Sequence, residues 1–262
     1  MDQENIRKDG NLIKIEMFPL DIDGEYLSVA VSWRKGIKVA RIRVSEHGVS
    51  ASVPRSMSRQ SVKDLLGRET SWITRHWRKQ CQVMADLASR PLDHFYFRGT
   101  YYRLIVSTHD RVDTRDRFHV ENDNFFLHLT RNEASRWRAM LEDVLRNHAK
   151  ALIKQRLDEI KERLDCEYNK VVVRDQKTRW GSCSPKKNLS FNWRLLLMPP
   201  EVLDYVIVHE LCHIIELSHS KEFWNIVESI LPDYNEKRKW LRANGRIYSE
   251  VYEAVRPAYI NL

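Results

Sequence analysis

The chain has 262 residues, 42% of them hydrophobic and 31% charged, with a formal net charge of +8. That is enough apolar side chain to bury one large core or two small ones, which excludes disorder of the whole chain. No apolar run approaches the roughly 18 residues that span a bilayer and MDQENIRKDG lacks the apolar stretch of a leader, so a protein off the membrane and unprocessed is expected.

From Asn11 to Val53, runs rich in Val and Ile break at Asp23-Gly24, Lys35-Gly36 and His47-Gly48, the pattern of antiparallel strands joined by tight turns. Ser58 is the expected N-cap of a helix whose apolar positions, Val62 to Met84, recur at helical spacing. Two hairpins follow, turning at Arg98-Gly99 and at Asn122 to Asn124. Residues 133 to 164 carry an apolar stripe that includes Leu141, Leu145, Ile153, Leu157 and Ile160, as one long or kinked amphipathic helix. Strand candidates then run from Val171 to Val173 and from Leu189 to Met198, separated by the polar turn TRWGSCSPKKN, and Pro199-Pro200 ends the second. The fold class expected is α+β, with a β-rich N-terminal part (1–130) and a C-terminal catalytic part (131–262). The four cysteines, Cys81, Cys166, Cys183 and Cys212, lack paired spacing, which points to a reducing cytoplasm.

A helix starting near Pro200 has Val202, Leu203, Val206, Ile207, Leu211, Ile214 and Ile215 to bury, and within it lies H-E-L-C-H, His209 to His213. Four residues advance a helix by about 400°, so the two imidazoles leave nearly one face and can chelate one ion. Zinc prefers such donors, and Glu210 is close enough to take a proton from an attacking water. Two titratable imidazoles inside so apolar a helix need a purpose, because unpaired burial is costly. For a third ligand the sequence offers Glu216, on the same face if the helix continues, and His219, if it stops. The restart signalled by Ser220 favours a stop, with His219 folding back and Glu216 orienting a ligand imidazole. Cys212 reads as a small core residue.

Between Lys170 and Arg194 the net charge is +6, with Asp175 the one acid. Such a patch suits a phosphate- or carboxylate-bearing partner, or is a solvated loop. Arg179 and Arg194 are forked donors for anions, and together with Asn192 they are the candidate substrate contacts. Trp180-Gly181 reads as a turn held against the catalytic helix by a buried ring, or as a stacking surface.

The segments T-R-W-G-S-C-S (Thr178 to Ser184), N-W-R (Asn192 to Arg194) and H-E-L-C-H-I-I-E-L-S-H-S-K-E-F-W (His209 to Trp224) together resemble the YgjP-like family (domain of unknown function 45) of zinc metallopeptidases, relatives of the SprT-type proteases. The resemblance implies a zincin-like catalytic domain with metal on His209, His213 and His219 and Glu210 as base. Glu216 stands where a metzincin would have its turn glycine, so that backbone turn is not implied. The family has been assigned both peptide and nucleotide pyrophosphate hydrolysis. A strand from Leu189 to Leu196 holding an extended substrate by β-addition points to a peptide or protein. Arg179 and Arg194 point to a nucleoside triphosphate. A third expectation is a DNA-associated, SprT-like protease that docks nucleic acid through residues 170–194.

Overall fold

The computed structural model describes residues 4–8, 11–45, 47–113, 117–176 and 178–261, of which the side chains of 14–45, 47–113, 117–176 and 178–258 are placed. The chain divides into two compact units, Met1–Ser89 and Arg90–Leu262. Together they form a mixed α+β architecture of three sheets and six α-helices among the described residues.

In the first unit five strands, β1 (Glu4–Lys8), β2 (Asn11–Ile22), β3 (Glu25–Arg34), β4 (Arg41–Ser45) and β5 (Gly48–Pro54), lie in the order β1-β2-β3-β5-β4. Asp23 and Gly24 both take positive φ, 56° and 89°, and the Asp21 carboxylate accepts the Gly24 N–H at 2.8 Å, so this dipeptide closes the β2–β3 hairpin. The turn at Lys35-Gly36 is a correction to the all-antiparallel expectation. It opens a loop instead of a hairpin, and β5 inserts between β3 and β4, parallel to β3. Alternation along the strands puts Phe18, Leu20, Val29, Val31, Val49, Ala51 and Val53 on one buried face. The helices α1 (Arg59–Arg68) and α2 (Thr70–Ala88) add Val62, Leu66 and Ile73 to that core. Ser58 caps α1 as expected, its Oγ accepting from the Ser61 N–H at 3.0 Å. The single helix expected here breaks at Glu69, and beyond it Trp72, Cys81 and Met84 are exposed.

In the second unit β6 (His94–Phe97) and β7 (Thr100–His109) form the first expected hairpin, and β8 (Phe118–Glu121) and β9 (Asn124–Thr130) the second. Positive φ at Arg98, Gly99 and Asn122 makes both turns possible. The expected boundary near residue 130 falls inside this unit. The Arg98 and Gly99 N–H groups donate to the carbonyls of Leu196 and Leu197 at 2.8 and 3.0 Å, and the Phe95 ring meets Tyr252 edge-on at 6.1 Å, so the hairpins share a core with the C-terminal helices.

A 3-10 turn (Arg131–Arg136) leads into α3 (Trp137–Leu164), which buries Leu141, Leu145, Ala149, Ile153, Leu157 and Ile160 along one stripe. The turn is locked by a capping box: Glu133 Oε2 accepts from the Thr130 N–H and hydroxyl, both at 2.9 Å, and from Arg117 at 2.7 Å. Arg117 first, then the Thr130 amide, hold the Glu133 carboxyl down at about 2 against its usual 4.5. A depressed carboxylate stabilises the fold fully above about 4.5 and loses that contribution as pH falls toward 2. Glu133→Gln is therefore expected to lower the unfolding free energy at neutral pH by about 1–2 kcal/mol, after discounting for solvent. Urea titrations checking this should show the gap to wild type closing as the pH drops, and a gap independent of pH would contradict it.

The third sheet has the order β10-β12-β11, with β10 (Lys170–Arg174) parallel and β11 (Gly181–Cys183) antiparallel to β12 (Asn188–Asn192). The strand expected to reach Met198 stops at Asn192, whose side-chain oxygen caps a 3-10 turn (Trp193–Leu197) by accepting the Arg194 N–H at 3.0 Å. Three helices follow: α4 (Pro200–Cys212), with Pro200 in its first turn, α5 (Lys221–Ile230) and α6 (Tyr234–Ala254). The tail docks as β13 (Ala258–Asn261), parallel to β7. No described helix is long and apolar enough to cross a membrane.

Candidate metal centre

Helix α4 is buried nearly all round: Val202, Leu203, Tyr205 to Val208, Glu210, Leu211 and Cys212 are inaccessible. His209 lies in its last turn and His213 is its C-cap. The helix stops there, and the N–H groups of Ile214, Ile215 and Glu216 close on Leu211 and Cys212 carbonyls at 2.9 to 3.1 Å. Because it stops, Ile215 is 51% exposed instead of buried as expected. The loop then turns back, and α5 restarts under Ser220, whose Oγ accepts the Phe223 N–H at 3.2 Å.

That reversal brings His219 back to α4, with its Nε2 3.1 Å from Nε2 of His209. One nitrogen from each of His209, His213 and His219 lies within 4.8 Å of the others. The fully buried Phe223 ring backs all three, at 4.5 to 5.0 Å between centroids. The donor set fits a divalent metal ion on three counts. Imidazole nitrogens suit such ions. The Glu216 backbone carbonyl accepts from His213 Nδ1 at 3.1 Å, which fixes the tautomer and leaves Nε2 with its lone pair. Burial first, then the neighbouring imidazoles and Arg238, push His209 down to about 3, and burial with His213 and Arg238 lowers His219, so both rings are neutral at pH 7.

The Glu216 carboxylate, the other expected donor, is taken by the N–H and hydroxyl of Ser218 at 2.8 and 2.7 Å. It is the main-chain carbonyl of this residue, and not its side chain, that orients an imidazole. Glu210, one residue on from His209, is 5% exposed. Burial pushes its carboxyl up to about 8, with Arg179 pulling the other way. Gly181 on β11 makes room for it: a Cβ there would lie 2.5 Å from Glu210 Oε1. Trp180 packs against α6, where its Cζ2 would be 2.9 Å from a Cβ on Gly245, so the turn is held by a packed ring. Cys212 is fully buried, and burial pushes its thiol up to about 12, in keeping with a core role.

The expected substrate contacts separate here. Arg194 is 14% exposed and tied to Asp175 at 3.0 Å and Glu253 at 2.6 Å. Asn192 is buried, donating to the carbonyls of Gln176 and Arg179 at 2.7 and 3.4 Å. Both side chains are engaged within the fold. Arg179 is exposed and its guanidinium makes no ion pair among the described residues. Of the remaining bases of the segment, Lys170, Arg174, Lys186 and Lys187 are exposed and Lys177 lies outside the described residues. β12 is also corrected as a substrate strand, because both its edges are paired. Among the described residues the edge beside Glu210 left without a strand partner belongs to β11, which reads in the sequence as a polar turn. Phe223 was legible only as part of the motif around it.

A helix and a returning loop that converge three imidazoles beside a buried glutamate define a centre that could hold a divalent metal ion. Over residues 38–244 the chain matches the model described as YgjP-like, metallopeptidase domain, and it belongs to that family. It is therefore a metallopeptidase-type hydrolase. Two solved structures are similar to part of it. The metallopeptidase zymogen of Pyrococcus abyssi abylysin is 23% identical, covers 36% of this chain and 95% of its own, and has a TM-score of 0.33. The metallopeptidase zymogen of Methanocaldococcus jannaschii jannalysin is 25% identical, covers 35% and 94%, and has a TM-score of 0.31. No curated protein matches the chain significantly.

Proposed function

We propose that this chain is a zinc-dependent peptidase with a zincin-like catalytic domain, in which His209, His213 and His219 hold the ion and Glu210 is the general base. The observation that carries it is the convergence of three imidazoles next to a buried carboxyl. A bound zinc ion supplies Lewis acidity toward the scissile carbonyl and the attacking water. The rest is done by the chain's own groups. Glu210, with a carboxyl near 8, is matched to taking a proton and returning it to the leaving amine near neutral pH. Its side chain packs closely against Gly181, where a Cβ would lie 2.5 Å from Oε1. The free edge of β11, Gly181–Cys183, offers main-chain groups to an extended peptide in the place the sequence had given to residues 189–196. The four free cysteines agree with a reducing compartment.

One observation favours a second reading, hydrolysis of a nucleoside triphosphate: the exposed guanidinium of Arg179, which makes no ion pair among the described residues and is close enough to Glu210 to lower its carboxyl. The loss of Arg194 and Asn192 to internal contacts weakens it. Zinc-loaded protein assayed in parallel on an unfolded protein and on nucleoside triphosphates separates the two. Cleavage of the polypeptide with no release of pyrophosphate is expected, and the reverse pattern would replace the first reading with the second.

A further inference from the structure

The sheet of the first unit has a second face, and its chemistry is unlike that of a solvated sheet. Registry places Ser32, Ser52 and Arg41 in one row across β3, β5 and β4, with Ala30, Ser50 and Arg43 in the next. Arg34 follows two residues after Ser32 on β3. Guanidiniums on β3 and β4 thus flank a floor of small hydroxyl side chains one strand wide, about 10 Å from wall to wall. The groove encloses a cavity of about 380 Å³. Among the residues whose side chains are placed, the rest of its lining is aliphatic and no carboxylate lines it. Ser32, 8% exposed, is held in place: it donates to the Ala51 carbonyl at 3.3 Å, meets Ser52 Oγ at 3.2 Å, and accepts from Arg34 Nε at 3.4 Å.

A solvated sheet face normally sets opposite charges across from each other. Here three arginines share a face on which no carboxylate lines the cavity among the residues whose side chains are placed, and from Tyr26 to Ser45 the sequence has Arg34, Lys35, Lys38, Arg41 and Arg43 without a single Asp or Glu. Positive charge on the edge strand β4 also blocks sheet-to-sheet aggregation. That purpose accounts for Arg41 and Arg43. It accounts neither for Arg34, on an interior strand, nor for the serine floor.

We propose that this face binds the sugar-phosphate backbone of a nucleic-acid strand. Arg41 and Arg43, two residues apart on one strand, stand about 7 Å apart along it, near the interval between successive phosphates of an extended strand. Lys35 and Lys38 are exposed in the loop that joins β3 to β4, whose Ile37 lines the cavity, and this added positive charge suits a chain of phosphates better than a compact anion. Among the described residues no aromatic ring lines the groove to stack on a base, so the recognition proposed is by backbone, independent of sequence.

The test is fluorescence anisotropy of a fluorescein-labelled single-stranded oligodeoxynucleotide with the full chain over a range of salt. Wild type is expected to bind, and the R41Q/R43Q double variant to bind at least about tenfold more weakly and to flatten the slope of log affinity against log salt by about 1.4, two contacts at about 0.7 each. R34Q should weaken binding in the same direction, R41K/R43K should restore most of it, and K186Q/K187Q in the other unit should leave it unchanged. Circular dichroism confirms that the variants are folded. No binding by wild type, wild-type affinity in both R34Q and R41Q/R43Q, or loss confined to K186Q/K187Q would overturn the proposal. So would competition by tripolyphosphate or polyglutamate as effective as that by unlabelled oligonucleotide at equal charge, which would identify a compact anion site or an acidic protein surface instead.

Discussion

Glu210→Gln is expected to leave the fold and metal content unchanged while lowering kcat on a peptide by about two to four orders of magnitude. The substitution keeps the size and shape of a side chain that is only 5% exposed, so packing on α4 is preserved. What it removes is the ability to accept and return a proton. Burial raises the Glu210 carboxyl to about 8, so in the metal-free chain the group is mostly protonated at pH 7, and the nearby positive charge of Arg179 favours its ionised form. The acid limb of the wild-type pH profile should report ionisation of this carboxyl and be missing from the residual activity of the variant. Activity within tenfold of wild type, with metal retained, would remove Glu210 from the role of base.

Gly181→Ala is expected to cost activity out of proportion to stability. A Cβ at this position would lie 2.5 Å from Oε1, 2.7 Å from Cγ and 2.8 Å from Cδ of Glu210. Neither side gives easily, since Gly181 is fixed in β11 by its pairing with Phe191 and Glu210 lies on a helix buried nearly all round. The carboxylate must therefore move by roughly the 1 Å that can cost a hundredfold in rate. Overpacking of this kind also destabilises by about 1–3 kcal/mol. Steady-state kinetics beside urea denaturation would check it: kcat should fall by about a hundredfold with a modest loss of stability. An unchanged kcat would mean that the glutamate has more room than the close packing allows.

The parts of this site that could be read from the sequence are those set by local geometry. His209 and His213 follow from the four-residue spacing on a helix, and His219 from the stop and restart signals around Ser220, which the structure realises as a reversal of the chain. Hairpins with Asp-Gly, Arg-Gly or Asn at positive φ were legible for the same reason. What escaped depends on partners distant in the chain. Arg194 looked free for substrate because nothing local identifies Asp175 and Glu253 as its partners. β11 is three residues long in a polar stretch and becomes a strand only by pairing with β12. The insertion of β5 between β3 and β4 is likewise a non-local pairing, and it is this pairing that assembles the arginine and serine face of the first unit.

The most direct test of the central claim is the metal content of the purified chain beside that of its His213→Ala variant. His213 contributes a nitrogen to the three-imidazole cluster, and its other nitrogen is fixed by the Glu216 carbonyl, so its removal takes one of three donors and the best-oriented one. About one equivalent of zinc is expected in the wild-type protein and little or none in a folded variant. A folded wild-type protein that takes up no zinc when supplied with it, or a variant that retains a full equivalent, would contradict it.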